Sequence, residues 1–218
     1  MDKYLNLLKT VPLFRGIDVF DLETMLGCIK AKIETAKKGE ILLLTGGKPL
    51  YIGIVLSGQL QIAREDCDGN RSLVTVVTAG GIFGETLCCA GILESPITVA
   101  AGTETSVLLL RFSHILHICP NSCAFHTKLI ENMLGIIAGK NLFLQLRMET
   151  ISLKSVRAKV MRYFESLGAK RGQQFFIPFN REEMADYLCV ERSALSHELS
   201  RMKNDGLIEY SKNKFILL

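Results

Sequence analysis

The sequence predicts an α+β protein. We expect an antiparallel β-roll of the double-stranded β-helix or jelly-roll type with flanking helices, then one long helix and a small helical module. Three observations support this fold class. Short apolar runs broken by glycine or polar turns fill residues 31–112. Apolar residues with a near-heptad period cover residues 121–150. Residues 180–208 have the pattern of two short helices joined by a tight turn.

Composition indicates more than one domain with a substantial core. The chain has 218 residues, of which 48% are hydrophobic, which is enough for one large domain and one small one. The expected parts are residues 1–119, 120–150 and 151–218.

Neither a membrane span nor a signal peptide is expected. The longest apolar runs, such as 41–44 and 107–110, fall far short of the ~20 residues that cross a bilayer. The first residues do not combine a basic region with an apolar one. The seven cysteines are an odd number scattered through apolar contexts, which favours reduced thiols. We therefore expect a cytoplasmic protein without a membrane partner.

Helices and strands follow in order along the first part of the chain. Residues 1–28 have helical character, and Asp18 is a candidate cap for the helix through Met25. Asp68–Gly69–Asn70 is the clearest hairpin turn. The predicted strands are 41–44, 51–56, 60–64, 72–77, 97–101 and 106–110.

The long helix carries an apolar seam at Leu129 or Ile130, Met133, Ile137 and Leu144, interrupted by Lys140. A helix of this length is unusual inside a compact domain, and such a seam favours pairing with a second copy. The alternative is that one face packs on the β-roll of the same chain. Different faces of the helix can serve both contacts.

The C-terminal module begins with a helix from Val156 to Gly168, capped by Ser155, and a short strand at 175–179. Asn180 then caps the first helix of the pair, and Glu183 completes a capping-box pattern.

The second helix of the pair has two distinct sides. Leu195, Leu199 and Met202 form a buried stripe. The other side carries short, polar or basic residues, which suit the major groove of DNA. Gly206 ends this helix, and residues 208–216 read as strand, turn and strand. The pattern is that of a winged helix-turn-helix.

Chain order, glycine spacing and two motifs together resemble the CRP/FNR family of bacterial transcription regulators. The motifs are Gly80-Gly81-Ile82-Phe83-Gly84-Glu85 and residues 184–208. The resemblance implies a cyclic-nucleotide-binding-like domain at 1–119 and a homodimer formed through the long helix. It further implies binding of double-stranded DNA with a two-fold symmetric site, and RNA polymerase as a further partner.

The resemblance also implies an effector pocket in the β-roll. Its candidate residues are Gly84, Glu85, Cys88, Cys89, Ser95, Pro96 and Thr98. Nucleotide-binding members use an arginine and a serine for the phosphate, but here those positions hold Ser95 and Pro96. Glu94 beside them would repel a phosphate. We therefore expect no tight binding of cyclic AMP, and we predict no cofactor.

Cysteine and histidine residues leave other sensor types open. His114, His117, Cys119, Cys123 and His126 lie close together in sequence, so haem is an alternative that the spacing supports only weakly. Cys88 and Cys89 could form a redox or electrophile sensor, although buried structural cysteine is the default. No metal site is predicted.

The family's DNA-contacting positions map onto the helix pair and the wing. Base contacts are expected from Arg192, Ser193, Ser196 and His197, and Arg192 suits guanine. Phosphate contacts are expected from Arg181, Arg201, Lys212 and Lys214. Residues 149–218 carry 12 basic and 9 acidic residues, a mild excess that is compatible with phosphate binding.

Two other functions compete with an effector-controlled dimeric regulator. One is a constitutive DNA-binding regulator whose β-roll is a ligand-free scaffold. The other is a cupin-like metalloenzyme, which needs several histidines on the strands of the roll. All four histidines lie outside the predicted strands, and no catalytic motif occurs. We therefore expect no catalytic residues and no enzyme activity.

Overall fold

The structure, a computed structural model, describes residues 2–65, 71–116 and 124–218. Its contacts divide the chain into two compact units, residues 1–138 and 139–218. The predicted hairpin turn at Asp68–Gly69–Asn70 and the predicted helix start at Pro120 lie outside the described residues. The three-part division of the chain stays a prediction, because the two-unit boundary falls inside the segment 120–150.

Helices frame the β-roll in the first unit. A 3-10 turn at Asp2–Tyr4 precedes α1 (Leu5–Thr10), and a second at Pro12–Phe14 precedes α2 (Val19–Cys28). Two short helices not predicted from the sequence are α3 (Glu85–Cys89) and α4 (Phe112–Leu116). Asp18 is the N-cap residue of α2, as expected, but its side chain makes no capping hydrogen bond.

The β-roll consists of two four-stranded antiparallel sheets, which confirms the predicted fold class. Its strands are β1 (Lys32–Ala36), β2 (Ile41–Leu43), β3 (Tyr51–Ser57), β4 (Gln59–Glu65), β5 (Arg71–Thr78), β6 (Ile82–Phe83), β7 (Thr98–Ala101) and β8 (Thr105–Arg111). The sheet orders are β1-β8-β3-β6 and β2-β7-β4-β5. The sequence predicted six of these strands and missed β1 and β6.

Strand β3 is buried on both faces, because two separate cores use its alternating side chains. Val55 points to the interior of the roll, where it packs with Val99 and Val107. Ile52 and Ile54 point the other way and pack with the helices. This explains the nearly continuous apolar run in β3, since both of its sides exclude water.

Helix α5 (Ala124–Ser152) begins in the first unit and ends in the second. Leu129 and Met133 are fully or almost fully buried in the helical core of the first unit. The predicted seam is therefore wrong at Leu129 and Met133, whereas its alternative first member, Ile130, is only partly buried. The side chains of Leu129 and Met133 pack in one core with residues of α1, α2, β3 and β8 of the same chain, so they are not available to a second copy.

A stripe of α5 that shares Ile130, Ile137 and Leu144 with the predicted seam is only partly covered in the single chain. It follows a strict alternation of three- and four-residue steps through Ile130, Leu134, Ile137, Asn141, Leu144, Met148 and Ile151. Leu134, Leu144 and Met148 are 65%, 54% and 64% exposed. This spacing is typical of a coiled-coil seam.

The second unit has the order predicted for a winged helix-turn-helix. Its elements are α6 (Val156–Ser166), β9 (Gln174–Phe176), α7 (Arg181–Leu188), α8 (Arg192–Asn204), β10 (Ile208–Ser211) and β11 (Lys214–Leu217). The strands form one antiparallel sheet of order β10-β11-β9. Phe164, Leu195 and Phe215 lie in its core. Ser155 caps α6 by accepting a hydrogen bond from the Ala158 amide at 3.1 Å, as predicted.

No helix in the described part of the chain is long and apolar enough to cross a membrane.

Candidate DNA-binding surface and effector site

The first helix of the pair, α7, is fixed by its own N-terminal residues. The side-chain oxygen of Asn180 accepts hydrogen bonds from the Glu182 and Glu183 amides, both at 2.9 Å. The Glu183 carboxylate in turn accepts one from the Asn180 amide at 2.7 Å. This is the capping box that the sequence predicted, and it satisfies the amides that no earlier turn can pair.

The turn between α7 and α8 is held by a buried lysine that sequence reasoning missed. Cys189, directly after α7, adopts the left-handed conformation with φ 52°. The Lys159 ammonium donates to the carbonyls of Leu188 and Cys189, at 3.2 and 3.3 Å. The available signal was a lysine between Val156 and Val160 on the apolar side of α6. Lys159 therefore fixes where α8 begins.

The two sides of α8 differ as the sequence predicted. Leu195, Leu199 and Met202 are completely buried. The four predicted base-contacting residues are all exposed on this helix: Arg192, Ser193, Ser196 and His197. Within the described residues, none of these four side chains forms a hydrogen bond or an ion pair, so their polar groups are available to an external partner.

A second contact missed from the sequence ties α8 to α6. The Arg157 guanidinium pairs with Glu198 at 2.6 Å and with Asp205 at 2.7 Å. Glu198 lies on α8 and Asp205 directly follows it, so the arginine joins both to α6. Because an arginine can pair with two carboxylates at once, the contact limits rotation of α8. No pattern along the chain predicted this pairing.

The predicted phosphate-contacting residues have different surroundings. Lys212 and Lys214 are exposed at the wing, and Arg201 is exposed with Glu198 4.0 Å away. The guanidinium of Arg181 instead lies over the rings of Tyr210 and Phe215, at 4.9 and 5.0 Å.

The guanidinium of Arg181 is therefore already engaged by contacts within its own chain. It donates to the Lys212 carbonyl at 3.1 Å, and burial lowers its pKa. This contact anchors the wing to α7. Its contact with phosphate stays a prediction.

In the β-roll, Gly84 and Glu85 stand at the start of α3. Gly84 adopts φ 79°, and a Cβ there would lie 2.7 Å from the Tyr51 carbonyl, so only glycine fits this turn. Glu85 is 3% exposed, and its carboxylate accepts a hydrogen bond from the Thr86 hydroxyl at 3.0 Å. The glutamate is thus buried at the position that the family pattern implies.

Ser95 and Thr98 are bonded to their own chain. The Ser95 hydroxyl donates to the Ile97 carbonyl at 2.7 Å and accepts from the Ile97 amide at 3.2 Å. The Thr98 hydroxyl accepts from the Thr45 amide at 3.1 Å and lies 3.0 Å from the Thr45 hydroxyl. Both hydroxyls are buried, while Pro96 between them is exposed and offers no donor.

The cysteine pair after Glu85 has mixed surroundings, and its place in an effector pocket stays a prediction. Cys88 is buried in the core between the helices and β3, and its thiol lies 3.4 Å from the Pro49 carbonyl. Burial, with Cys89 and Glu85 nearby, raises the pKa of Cys88 to about 11. Burial and Glu85 also raise the pKa of the exposed Cys89. Neither thiol has the electropositive setting that favours a reactive thiolate.

The residues considered for haem are only partly described. His117, Cys119 and Cys123 lie outside the described residues. The Nδ1 atom of His114 is 2.9 Å from the Ile29 carbonyl, and His126 is buried beside the Phe125 ring. Within the described ranges, no group of three or more His, Cys, Asp or Glu side chains could hold a metal ion.

Comparisons with known families match both units. The model of the cyclic nucleotide-binding domain matches residues 33–122, and that of the Crp-like helix-turn-helix domain matches residues 158–218. A curated relative, the transcriptional activator protein FnrL of Cereibacter sphaeroides, is 23% identical over 186 residues. That match covers 83% of this chain and 73% of the relative.

Solved structures share the fold at low identity. The catabolite activator protein of Thermus thermophilus aligns with a TM-score of 0.55 and 18% identity, over 95% of this chain and 93% of its own. DNR of Pseudomonas aeruginosa aligns with a TM-score of 0.51 and 17% identity, over 100% and 95%. These likenesses show that the chain shares their fold.

Proposed function

The chain belongs to the CRP/FNR family of transcription regulators, and we propose that it acts as a dimer on a specific, two-fold symmetric DNA site under the control of a small effector. DNA binding and regulation of transcription are the family's function. The dimer, the operator symmetry and the effector are the proposal. RNA polymerase is the proposed second partner, and the cytoplasm is the proposed location.

One observation carries the DNA-binding part of the proposal: the polar face of α8 is exposed and unengaged. Arg192, Ser193 and His197 form no hydrogen bond or ion pair through their side chains within the described part of the chain. The helix beneath them is held by its buried stripe and by the Arg157 contact. A rigid helix with free polar side chains is what base readout in the major groove requires.

The uncovered stripe on α5 supports the dimer. Leu134, Leu144 and Met148 are exposed at heptad spacing, and Asn141 occupies a core position of the same repeat. Two copies of the helix would bury these side chains, and paired asparagines would fix the register. A two-fold axis through α5 would present two recognition helices to two half-sites.

For the effector, we propose a molecule other than cyclic AMP. Ser95 and Pro96 stand where nucleotide-binding members carry the groups that hold the phosphate, and neither supplies a positive charge. Titration calorimetry with cyclic AMP is expected to give no tight binding. A dissociation constant in the low micromolar range would contradict this part.

The ligand-free scaffold is the second candidate for the β-roll. The observation that favours it is the internal bonding of the Ser95 and Thr98 hydroxyls. Thermal-shift screening of nucleotides and small anions separates the two candidates, because a true effector raises the melting temperature by mass action.

The DNA-binding proposal is tested by selecting bound duplexes from a random pool, then measuring affinity for the selected site and a scrambled duplex. Arg192→Ala should weaken selected-site binding by about 1–3 kcal/mol and relax the preference at one base position. Lys212→Ala should weaken binding to both duplexes by the same factor. Lys38→Ala, an exposed change in the first unit, is the matched control. Equal losses on both duplexes for Arg192→Ala would overturn the assignment.

A further inference from the structure

A cavity of about 280 Å³ lies within the second unit, and none of the residues that line it belongs to α8. Its walls come from the C-terminal part of α5, from α6, from the segment before α7 and from α7 itself. The side chains that matter for its chemistry are Phe143, Leu146, Arg147, Tyr163, Phe179 and Tyr187. Its volume is suited to a molecule of one or two rings.

Three aromatic rings form one wall of this cavity. Tyr163 stacks on Phe179 with ring centres 6.3 Å apart and planes 21° apart. Tyr187 lies 5.0 Å from the Tyr163 ring and 5.2 Å from the Phe179 ring. Such a cluster presents flat apolar faces to a planar ligand and loses little entropy on binding, because its members are already packed.

A positive charge stands at the edge of the aromatic wall. The Arg147 guanidinium lies 5.0 Å from the Tyr187 ring. Over the described residues, Arg147 pairs with no carboxylate, whereas Arg157 and Arg162 in the same unit each pair with two. A guanidinium stacked on a ring can still bind an anion with its free N–H groups.

The cavity also contains a donor without a partner. Tyr163 is 4% exposed, and its hydroxyl forms no hydrogen bond within the described part of the chain. Burial, with Tyr187 nearby, raises the pKa of Tyr163 to about 12, so the hydroxyl keeps its proton at neutral pH. Two other hydroxyls of the cavity are engaged, since Thr150 donates to the Leu146 carbonyl and Ser166 donates to the Tyr163 carbonyl. A hydroxyl at the cavity wall that has no protein partner can donate to an acceptor that a ligand supplies.

A second copy of the chain does not account for the cavity. Phe143, Leu146 and Thr150 lie on the side of α5 opposite to the stripe through Leu144 and Met148, by their spacing along a helix of 3.6 residues per turn. Phe143 and Leu146 are nevertheless 54% and 42% exposed. The proposed dimer would leave these apolar side chains uncovered.

We propose that this cavity binds a small aromatic carboxylate, with its ring against Tyr163, Phe179 and Tyr187, its carboxylate on Arg147 and an acceptor atom at the Tyr163 hydroxyl. Such a ligand would link α5 to α7 through one set of contacts. If the proposed function holds, it would shift the population of DNA-competent conformers from a site outside the β-roll. Binding itself does not depend on that function.

The test uses the full-length protein and titration calorimetry with four probes. These are indole-3-acetate and benzoate, the neutral indole-3-acetamide, and the non-aromatic cyclohexanecarboxylate. Indole-3-acetate is expected to bind at least about tenfold more tightly than the amide, because only the acid forms a charge-assisted contact with Arg147. Cyclohexanecarboxylate is expected to bind more weakly than benzoate, because it cannot stack.

Three variants locate the site. Arg147→Gln should reduce affinity for the acid by about tenfold and leave the amide unchanged. Tyr163→Phe should reduce affinity for the acid and for the amide by the same factor. Lys154→Gln removes an exposed positive charge of the same unit outside the cavity lining, and it should change nothing.

Several results would overturn the proposal: no binding by any aromatic acid, equal affinity for acid and amide, or the same loss with Lys154→Gln as with Arg147→Gln. The acid–amide comparison needs only the unaltered protein, so it stands even if a variant fails to fold. DNA affinity without ligand is measured in parallel. Intact DNA binding without ligand binding rejects this inference alone, whereas loss of DNA binding counts against the proposed function.

Discussion

Hydroxyl side chains are used in opposite ways at the two candidate sites. Ser193 and Ser196 on α8 are exposed, and among the described residues their hydroxyls have no partner. Ser95 and Thr98 in the β-roll are buried, and both bond to their own chain. The recognition surface is thus prepared for an external partner, while the effector position of the roll is satisfied internally.

The difference predicts how much stability a mutation costs in each region. Removal of an exposed, hydrated polar side chain costs the protein little stability, because no buried partner is left without a hydrogen bond. A buried pair loses stability when one partner is removed, because the other is left without water or a partner. Mutations at the two sites should therefore separate stability from binding.

The largest expected effect compares two adjacent residues of α8. Leu195→Ala should lower the free energy of unfolding by about 2–5 kcal/mol, because Leu195 is completely buried. Ser196→Ala should change it by less than about 0.5 kcal/mol and reduce only DNA affinity. Urea denaturation of both variants measures the difference, and a large stability loss in Ser196→Ala would contradict an open recognition face.

Lys159→Met tests whether the turn between α7 and α8 depends on a buried charge-assisted contact. Its loss removes the donor to two carbonyls and should cost about 1.5–3 kcal/mol of unfolding free energy. Weaker DNA binding is also expected, because the start of α8 would be less well fixed. Lys170→Met, at an exposed loop of the same unit, is the control for loss of charge. Similar stability in both variants would show that Lys159 does not hold the turn.

Thr98→Val examines the β-roll side of the comparison. The variant keeps the shape of the side chain but removes the acceptor of the Thr45 amide, so it should cost about 1–3 kcal/mol. Ser193→Ala is the exposed counterpart and should cost almost nothing. If Thr98→Val is as stable as the unaltered protein, the hydroxyl is free for a ligand and the roll is an open effector site.

The thiol of Cys88 should have the smallest effect near neutral pH. Its folded pKa is about 11 against an ordinary 9.0, so the folded state disfavours the thiolate. The stabilising contribution is complete below pH 9 and is lost as pH rises from 9 to 11. Replacement of Cys88 by alanine should flatten this alkaline fall in stability.

Iodoacetamide labelling with peptide mapping gives a second readout on the same thiol. At pH 8, Cys88 should carry roughly one hundredth of the thiolate of an ordinary cysteine and should react far more slowly than the exposed Cys189. Rapid labelling of Cys88 would revive the redox-sensor hypothesis for the β-roll.

Local signals in the sequence were sufficient for the recognition helices. The Asn180–Glu183 capping box and the stripe of Leu195, Leu199 and Met202 depend on neighbours within a few residues, so spacing alone identified them. Six strands of the roll were found because glycine and polar turns separate them. The short strand β6 gave too few residues for a pattern, and β1 alternates weakly because it is largely exposed.

The order of elements, the family and the polar face of α8 could be predicted without a structure, because they follow from periodicity, caps and motifs along the chain. The tertiary structure alone decided which side of α5 is buried, where Leu129 and Met133 belong to the core and Leu134 does not. It also paired Ser95 with Ile97, Thr98 with Thr45 and Lys159 with the turn before α8. These outcomes rest on which surfaces exclude water, and no single stretch of sequence specifies its distant packing partners.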